Sequence, residues 1–422
     1  MFKPHTLITC FLSLVTCHLS LAKVIPPSVP LSENIQSLTV IAGDRWQDMP
    51  VIKLDGREVI NIDFDDMTHQ YHRYTYTLQH CDSDWKPSDQ LLPSEYLKGF
   101  PSGNTIDNIQ ESINTTFLYT HYNIQIPNNS CEPTISGNYS LTVIDEDQDD
   151  SPVLQAFFMI VQPEMTLSLD VSPNTDLDNR ESHQQLSMTL QFNHQHVTHP
   201  EEQIHAVVVQ NANVHTAVID PSPQSVRHDA LQWSHSSDLI FPATNEYRKF
   251  EILDPHLPAL GIDSIMWDGE AYHAYATPCE PRPSYIFDKD ADGAYLIRNQ
   301  YFDSPEYLAD YFYVHYTLVI PPYSSAEFGQ DIYVGGRFTQ NQILPKYKMS
   351  YDNLTRTYQA TILQKQGYYN YCFLTTPSGE LVHSLPTEGN YFQTSNTYDV
   401  FIYYRPIGGR TDLLVAHGQI RT

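Results

Sequence analysis

The sequence predicts an all-β protein built from about three tandem immunoglobulin-like β-sandwich domains. Apolar and polar residues alternate along many short segments, which is typical of strands with one buried face. Turn-forming residues separate these segments, and helical periodicity is rare. The chain has 422 residues, of which 41% are hydrophobic and 12% aromatic. This composition can form several packed cores and excludes a disordered chain, a collagen or a coiled coil.

Strands, turns and one short helix can be placed along the chain in order. Strands are predicted from alternation at residues 74–79, 138–143, 166–171, 186–192 and 358–362, with an apolar strand at 156–161. Turns are predicted at residues 127–129, 145–150, 221–223 and 377–379. The best helix candidate is residues 303–311, because Ser304 suits the N-cap and Pro305 suits the first helical position.

The first residues predict export from the cytoplasm. Lys3 precedes an apolar run at 7–21, and Ser20-Leu21-Ala22 is a small-x-small cleavage site, as in a secretory signal peptide. Residues 14–17, ending in Cys17, loosely resemble a lipoprotein signal, which is the less favoured alternative. We expect residues 1–22 to be removed. No later stretch reaches the roughly 20 apolar residues of a membrane-spanning helix, so we expect no transmembrane segment.

The exported chain is expected to comprise three domains. Residues 23–163 form the N-terminal β-sandwich, which ends just after the apolar strand at 156–161. Residues 164–295 form a second β-sandwich. Residues 296–422 comprise a linker and a C-terminal immunoglobulin-like β-sandwich.

Four cysteines remain after removal of the signal peptide: Cys81, Cys131, Cys279 and Cys372. An oxidising compartment permits disulfides, and four cysteines allow three pairings. The simplest pairing is Cys81 with Cys131 and Cys279 with Cys372. Four buried free thiols are the equally favoured alternative.

The charge of the chain restricts its partners. It carries 50 acidic and 23 basic residues, a net charge of −27. Binding of nucleic acid through phosphates needs clustered Lys and Arg, so this class is excluded. The acidity is compatible with a basic partner or with solubility through self-repulsion, and solubility is favoured.

The sequence contains no phosphate-binding loop, zincin motif, nucleophile elbow or dinucleotide fingerprint. We therefore expect no enzyme activity, no catalytic residues and no cofactor. A histidine run could bind a metal, because His residues two apart on a strand face the same side. The run comprises His194, His196, His199 and His205. Among 19 histidines such pairs arise by chance, and metal binding is not favoured.

Two acidic segments are also candidate cation sites. Asp288, Asp290 and Asp292 resemble a calcium loop, because alternate carboxylates converge on one ion. Asn299 occupies the position that needs a bidentate carboxylate, so a hairpin turn is favoured and calcium binding stays open. The segment 145–150 is expected to be a solvated turn.

Three groups of segments resemble one known family. The first group contains residues 74–88, with His80-Cys81-Asp82-Ser83-Asp84-Trp85 within them, and residues 95–100. The second contains residues 112–116, 119–122 and 126–128 and Ser136-Gly137-Asn138-Tyr139. The third contains residues 365–371, 388–391 and 403–406. In order and spacing they are similar to the plug protein of the Bacteroidota type IX secretion system, long catalogued as a domain of unknown function. The resemblance covers most of residues 30–410, but not 165–300.

This resemblance implies a non-enzymatic periplasmic protein, peripheral to the outer membrane. Its expected partner is the giant outer-membrane translocon barrel, and other secretion components are further candidates. It implies that the protein seals the periplasmic opening of the idle barrel. The residues that carry the resemblance, called signature residues below, either build the fold or contact a partner, and the resemblance does not distinguish these roles. They are Cys81, Asp84, Trp85, Ser88, Tyr96, Asn114, His121, Tyr122, Gly137, Asn138, Tyr139, Gly367, Tyr368 and Asn370.

An alternative function comes from another class of protein. Residues 365–371 also resemble the early-set immunoglobulin-like modules attached to glycogen-branching enzymes. Together with 29 Tyr residues, this suggests a secreted or periplasmic glycan-binding protein. Such a protein should present a Trp/Tyr platform on an exposed sheet face.

Overall fold

The structure is a computed structural model that describes residues 25–300, 306–321, 331–375, 383–384 and 388–422. The all-β prediction is confirmed, because strands account for nearly half of these residues and helices for very few. The described α-helices are short, α1 (Pro93–Tyr96) and α2 (Pro200–Gln203). No helix in these ranges is long and apolar enough to cross a membrane. The predicted signal peptide at 1–22 lies outside the described residues.

The N-terminal unit, residues 25–162, packs two sheets over one core. Its strands are β1 (Val29–Pro30), β2 (Ile35–Ala42), β3 (Val51–Lys53), β4 (Ile60–Asp66), β5 (Tyr74–Cys81), β6 (Leu97–Gly99), β7 (Asn104–Thr105), β8 (Asn108–Glu111), β9 (Thr120–Ile126), β10 (Cys131–Pro133), β11 (Gly137–Asp145) and β12 (Ser151–Val161). One sheet has the order β1-β12-β11-β5-β7, the other has β2-β4-β9-β8, and β3 pairs with β12. Phe64, Leu78, Tyr139 and Phe158 are buried between the sheets.

The remaining strands belong to two further units. They are β13 (Thr166–Ser172), β14 (His183–Gln191), β15 (Ile204–Gln210), β16 (Val218–Ile219), β17 (Ser225–Val226), β18 (Ala230–Trp233), β19 (Ile240–Pro242), β20 (Arg248–Ile252), β21 (Ile262–Trp267), β22 (Tyr272–Ala276), β23 (Tyr295–Ile297), β24 (Tyr311–Val319), β25 (Ile332–Gly335), β26 (Ser350–Asp352), β27 (Thr357–Lys365), β28 (Gly367–Thr375), β29 (His383–Ser384), β30 (Thr397–Tyr404) and β31 (Leu413–Arg421). Single 3-10 turns lie at Val214–Thr216, Ser237–Leu239, Glu306–Leu308, Arg337–Thr339 and Pro345–Tyr347.

One unit is interrupted by the other. Strands β13, β14 and β17–β19 form one sheet, and β16-β15-β30-β31 form the sheet that packs against it. We call residues 164–243 and 394–422 the split unit. Residues 246–392 form the inserted unit, in which sheet β20-β28-β23, extended by β25 and β29, faces sheet β21-β22-β24-β27-β26.

The expected domain boundary between residues 295 and 296 does not coincide with the borders of the observed units. Strand β15 pairs with β30 from Ile204↔Tyr404 to Gln210↔Tyr398, so segments assigned to different domains share one sheet. Alternation indicates which face of a strand is buried but not which strand lies beside it. An insertion between β19 and β30 therefore leaves no local signal.

The predicted helix at 303–311 is not formed as expected. Residues 303–305 lie outside the described residues, Glu306–Leu308 is a single 3-10 turn, and β24 begins at Tyr311. The tyrosine- and valine-rich sequence after residue 310 favours a strand, which limits the turn. The predicted turn at 377–379 also lies outside the described residues.

An apolar cluster joins the N-terminal unit to the split unit. Val51 and Met159 of the N-terminal unit pack in one buried cluster with Val207, Phe401 and Leu414 of the split unit. Burial of such side chains contributes about 1.5–3 kcal/mol each. The two units therefore pack against each other through a continuous apolar core and are not joined by a flexible linker alone.

Candidate functional site: contacts between the signature segments

The signature segments meet one another across the borders between units. We define two contacts. In the Asp82 contact, residues 80–88 and 136–139 of the N-terminal unit meet residues 403–412 of the split unit. In the Lys365 contact, strands β4 and β9 and residues 116–119 of the N-terminal unit meet residues 306–311 and 365 of the inserted unit.

The Asp82 contact is a network of hydrogen bonds around two carboxylates. Asp82 Oδ1 accepts hydrogen bonds from Ser88 Oγ (3.0 Å), Thr411 Oγ1 (2.6 Å) and the Asp412 backbone N–H (3.1 Å). In return, Asp412 Oδ2 accepts one from the Ser83 backbone N–H at 2.9 Å. The two loops therefore satisfy each other's polar groups.

Arg405 completes the Asp82 contact. Its Nε donates to Asp412 Oδ1 at 2.7 Å, and its Nη2 lies 3.1 Å from Asp82 Oδ2. Burial raises the pKa of Asp412, but the hydrogen bonds from Arg405 and Ser83 outweigh burial and hold that pKa below its ordinary value. Asp412 is therefore ionised at neutral pH.

Strand β11 supplies the second half of the Asp82 contact. The buried Asn138 donates through Nδ2 to the Asp82 carbonyl at 2.9 Å and accepts from the Tyr403 hydroxyl at 2.7 Å. Gly137 has φ +148°, and a Cβ there would lie 2.2 Å from His80 Nε2. Only glycine therefore fits at this position.

Other residues of the first two signature segments build the N-terminal core. Tyr139 donates to the Ile135 carbonyl at 2.8 Å, and its ring packs edge-on against Tyr96. Tyr122 stacks on Phe64 with ring centroids 5.2 Å apart. These rings hold the two sheets of the N-terminal unit together.

Two residues of the first segment stand nearer the surface. Trp85 has a left-handed backbone with φ 63° and packs edge-on against Phe157 at 5.4 Å. Asp84 accepts a hydrogen bond from Lys86 Nζ at 2.7 Å. Asn114, which belongs to the second group of segments, is exposed and also has a left-handed backbone, with φ 58°. This conformation is common for Asn in a turn.

The Lys365 contact is a buried ion cluster. Lys365 and Asp65 are 1% and 0% exposed, and Lys365 Nζ lies 2.6 Å from Asp65 Oδ2. The Tyr311 hydroxyl donates to the same oxygen at 2.6 Å, and His121 Nδ1 lies 2.8 Å from Asp65 Oδ1. The Lys365 ammonium also lies 4.3 Å from the centre of the Tyr119 ring, within cation–π range.

The charges in this cluster shift each other's pKa values. Burial raises the pKa of Asp65, but Lys365 and His121 outweigh burial and lower it overall. Burial lowers the pKa of His121, but hydrogen bonds to Asp63 and Asp65 raise it to about 9. Burial, and then the charge of Asp63, raise the pKa of Glu306 to about 7.

Backbone hydrogen bonds reinforce the Lys365 contact. Asp310 accepts from the backbone N–H of Thr116 at 2.8 Å and of Phe117 at 3.3 Å. The Tyr119 hydroxyl donates to the Ala309 carbonyl at 2.6 Å. Residues 306–311 are therefore held against the N-terminal unit by both side chains and backbone.

The third signature segment lies inside the inserted unit. A Cβ at Gly367 would lie 2.3 Å from the Leu296 carbonyl oxygen of the neighbouring strand β23, so the strands approach too closely for a side chain. The buried Asn370 accepts from the Ala291 N–H at 2.5 Å and donates to the Tyr368 hydroxyl at 2.9 Å. These residues order the inserted unit.

One arrangement resembles a serine nucleophile and its base. Ser88 Oγ lies 2.8 Å from His80 Nδ1 and donates to Asp82. Ser88 and His80 are 6% and 1% exposed, and Thr411 covers the serine at 2.9 Å. A substrate cannot reach this serine without separating the units, so the arrangement is structural.

The four cysteines in the described part of the chain are free thiols, and the pairing of Cys81 with Cys131 and of Cys279 with Cys372 is not formed. The Cys81 thiol points to Ser140 Oγ at 3.7 Å, and Cys279 Sγ lies 3.2 Å from the Tyr371 hydroxyl. Burial raises the pKa of Cys81 to about 11 and of Cys131 to about 12. These thiols are therefore protonated and poorly reactive at neutral pH.

The histidine run does not form a metal site among the described residues. His194, His196 and His199 are exposed. His205 instead lies 3.1 Å from Asp220.

The calcium-like loop does not form a cage either. Asp288 is exposed and pairs with Lys249, while Asp290 accepts from the backbone N–H groups of Tyr247 and Asp292. Asp292 bonds to Thr397 and Arg421. The three carboxylates therefore serve different partners and hold the loop to its surroundings.

The acidic turn at 145–150 is solvated only in part. Asp145 is 1% exposed and lies 2.9 Å from His72 Nδ1, whereas Asp147 is exposed and accepts from the Arg73 N–H. Its first residue thus belongs to the core of the N-terminal unit.

Sequence reasoning missed Asp65 and Asp412, and it placed Lys365 in a signature segment without assigning it a role. Asp63 and Asp65 alternate with the core residues Ile62 and Phe64 on β4, which is the pattern of a strand with a solvated face. The inserted unit covers that face. The available signal is Lys365, a lysine within the third signature segment, but the segment alone does not identify Asp65 as its partner.

These observations define a class of protein: three interlocked β-sandwich units, joined by contacts to which several of the signature residues contribute. Residues 35–162 match the family described as "Type 9 secretion system plug protein 1st domain". The crystal structure of a hypothetical protein from Parabacteroides merdae ATCC 43184 is similar to this structure, with a TM-score of 0.88 and 35% sequence identity. The match covers 94% of this chain and 99% of the Parabacteroides chain. No curated protein matches the chain.

The chain belongs to the type 9 secretion system plug protein family. Membership associates it with type IX secretion and with the periplasm of Bacteroidota, and the family is not one of enzymes. A collagen adhesin from S. aureus is 10% identical with a TM-score of 0.12, which is too low to indicate a shared fold.

Proposed function

We propose that this protein binds the periplasmic opening of the outer-membrane type IX translocon barrel and closes it when no substrate is in transit. The observation that carries the proposal is the family match over residues 35–162. The likeness to the Parabacteroides protein extends over almost the full length of both chains. Because the three units occur together in both proteins, we assign the proposed role to the whole chain and not to the first unit alone.

The physical properties of the chain are compatible with such a plug. A body that closes a wide opening needs units that keep fixed positions, and buried contacts join the N-terminal unit to both others. A plug must also release. Reversible interfaces are about as apolar as ordinary protein surface, so no large apolar patch is required. We expect the complex to bury at least about 1,600 Å².

The first experiment is co-purification from native membranes. The protein carries a C-terminal tag, the outer membrane is solubilised in mild detergent, and an untagged strain serves as the control. We expect the translocon barrel to be recovered in near-equal amount with the tagged protein. Recovery of the protein alone in the periplasmic fraction would contradict the proposal.

A second experiment tests closure separately from binding. Deletion of the gene should raise the permeability of the outer membrane to large antibiotics, and the intact gene should restore the barrier. The matched control is a strain lacking both this protein and the barrel, in which the barrier should be intact. Unchanged permeability in the single deletion would contradict a sealing role even if binding is observed.

The glycan-binding alternative requires a platform of aromatic rings, and the inserted unit carries a row of rings on its outer face. There Tyr275, His315 and His273 form a row, with ring centroids 4.4 and 5.1 Å apart and interplanar angles of 8° and 21°. Rings stacked on one another present their edges to solvent, whereas a sugar packs on a ring face. This row is therefore a poor platform, and we expect no retardation in affinity gels containing polysaccharide.

A further inference from the structure

Three side chains of metal-binding type meet at the edge of the Lys365 contact. Asp63 lies on β4, His121 on the neighbouring β9, and Glu306 on a 3-10 turn of the inserted unit. One ligand atom from each lies within 4.8 Å of the other two, and His121 Nε2 is 3.6 Å from Asp63 Oδ1. Tetrahedral Zn²⁺ with bonds of ~2.0–2.2 Å needs ligand atoms ~3.3–3.6 Å apart, so only small side-chain movements are required.

A second group of residues fixes the orientation of these ligands. His121 uses Nδ1 to contact Asp65 Oδ1 at 2.8 Å, which directs Nε2 toward Asp63. Asn123 Nδ2 donates to Asp63 Oδ1 at 2.6 Å. A carboxylate on the far nitrogen of a histidine is the usual support of a metal-bound imidazole, because it fixes the tautomer and raises ligand basicity.

The charges around the three ligands can accommodate a divalent cation that replaces the proton of His121. Asp63 and Glu306 place two carboxylates side by side in a largely buried position, where like charges repel. Lys365 is engaged by the other oxygen of Asp65, Oδ2. A divalent ion displaces the proton of His121, and the charges of Asp63, Asp65, Glu306, Lys365 and the ion then sum to zero.

The donor set also restricts the metal. One imidazole nitrogen and two carboxylates suit Zn²⁺ and similar transition ions, whereas Ca²⁺ and Mg²⁺ prefer oxygen ligands alone. A second cluster of His72, Asp145 and Asp147 also has ligand atoms close together. Its three residues all belong to the N-terminal unit and so cannot link two units, and that cluster therefore serves as a control.

The geometry points to a Zn²⁺-type site formed by Asp63, His121 and Glu306. Because Glu306 belongs to the inserted unit and the other two ligands to the N-terminal unit, the ion links the two units. The site is independent of the plug proposal, since it follows from side-chain geometry alone. Loss of the ion should loosen one border inside the protein without removing either sandwich.

The test uses the full chain from residue 23, stripped with EDTA, dialysed and titrated with Zn²⁺ by calorimetry. We expect one tight equivalent per chain and a thermal unfolding midpoint that rises with Zn²⁺. Co²⁺ should give the visible absorption of a tetrahedral N/O site. Glu306→Gln should weaken Zn²⁺ binding at least tenfold and abolish the midpoint shift, while its midpoint in EDTA matches that of the wild type.

Matched variants separate this site from other ligands. The double variant His194→Gln, His196→Gln tests the exposed histidine run, and Asp147→Asn tests the second cluster; both should keep the tight equivalent. Asp63→Asn provides a second ligand variant if Glu306→Gln folds poorly. Absence of tight Zn²⁺ binding in the wild type, or its loss in either control and not in the ligand variants, would overturn the assignment.

Discussion

The Asp82 and Lys365 contacts join the same N-terminal unit to different neighbours by different physical means. In the Asp82 contact many hydrogen bonds act in parallel, and its cation Arg405 has a side chain 35% exposed. In the Lys365 contact a lysine and an aspartate are both removed from water. An apolar cluster supports the Asp82 border from beneath.

The two contacts should differ in how much stability is lost when one of their side chains is removed. Desolvation of a buried ion pair costs about as much as the pair returns, but removal of one partner leaves an uncompensated buried charge. The Lys365 contact therefore contributes little net stability while requiring one specific arrangement. The Asp82 contact should weaken in steps, because its load is shared by several hydrogen bonds to carboxylates that contribute about 1.5–3 kcal/mol each.

The largest predicted effect is that of Lys365→Met. Asp65 would keep its burial and lose its ammonium partner, so the free energy of unfolding should fall by about 3–5 kcal/mol. Denaturant titration followed by tryptophan fluorescence measures the change. Lys348→Met, which removes the exposed pair with Asp331, is the matched control and should leave the midpoint unchanged.

A double variant sharpens this prediction. Adding Asp65→Asn to Lys365→Met removes the stranded charge, so part of the lost stability should return. If the double variant is as unstable as the sum of two independent losses, then the two side chains do not act as a pair and the comparison fails.

Much of the fold could be predicted from sequence, because alternation such as that of residues 138–143 is a direct imprint of a buried sheet face. The aromatic signature segments could be singled out from the sequence as well. The contact partners of these segments could not be predicted, because Asp82 meets Asp412 and Asp65 meets Lys365 only after distant strands pair. Asp63 and Asp65 look like solvent-facing residues in sequence because nothing local records that a third unit covers them.

The next prediction concerns acid sensitivity of the Asp82 contact. Asp412→Asn should lower the free energy of unfolding by about 2 kcal/mol at neutral pH, because it removes a charged acceptor from Arg405 and Ser83. The folded-state pKa of Asp412 lies below its ordinary 3.8. Its contribution is therefore present above pH 3.8 and is lost as pH falls through the folded-state pKa.

Unfolding measured as a function of pH tests this sign. The difference in stability between wild type and Asp412→Asn should be constant above about pH 5 and should shrink toward lower pH. A difference that grows on acidification would contradict the assigned role of Asp412.

A smaller effect is predicted for Tyr403→Phe. The variant keeps the buried ring and removes the hydroxyl that donates to Asn138 Oδ1, leaving a buried acceptor unsatisfied. The free energy of unfolding should fall by about 1–2 kcal/mol. Tyr71→Phe, at a tyrosine that is 76% exposed, should have no effect, and equal losses in both variants would contradict the prediction.

The smallest effect is predicted for a charge pair on the rim of the same border. Arg410 of the split unit pairs with Glu95 of the N-terminal unit, but their side chains are 51% and 34% exposed. Water and salt screen such a pair, and ordering two long side chains offsets the attraction. Arg410→Gln should therefore leave the unfolding midpoint unchanged in physiological salt, and a double-mutant cycle with Glu95→Gln should give no measurable coupling. Coupling comparable to that of Asp412 would mean that exposure does not decide which contacts hold this border, and the distinction between rim and centre would have to be abandoned.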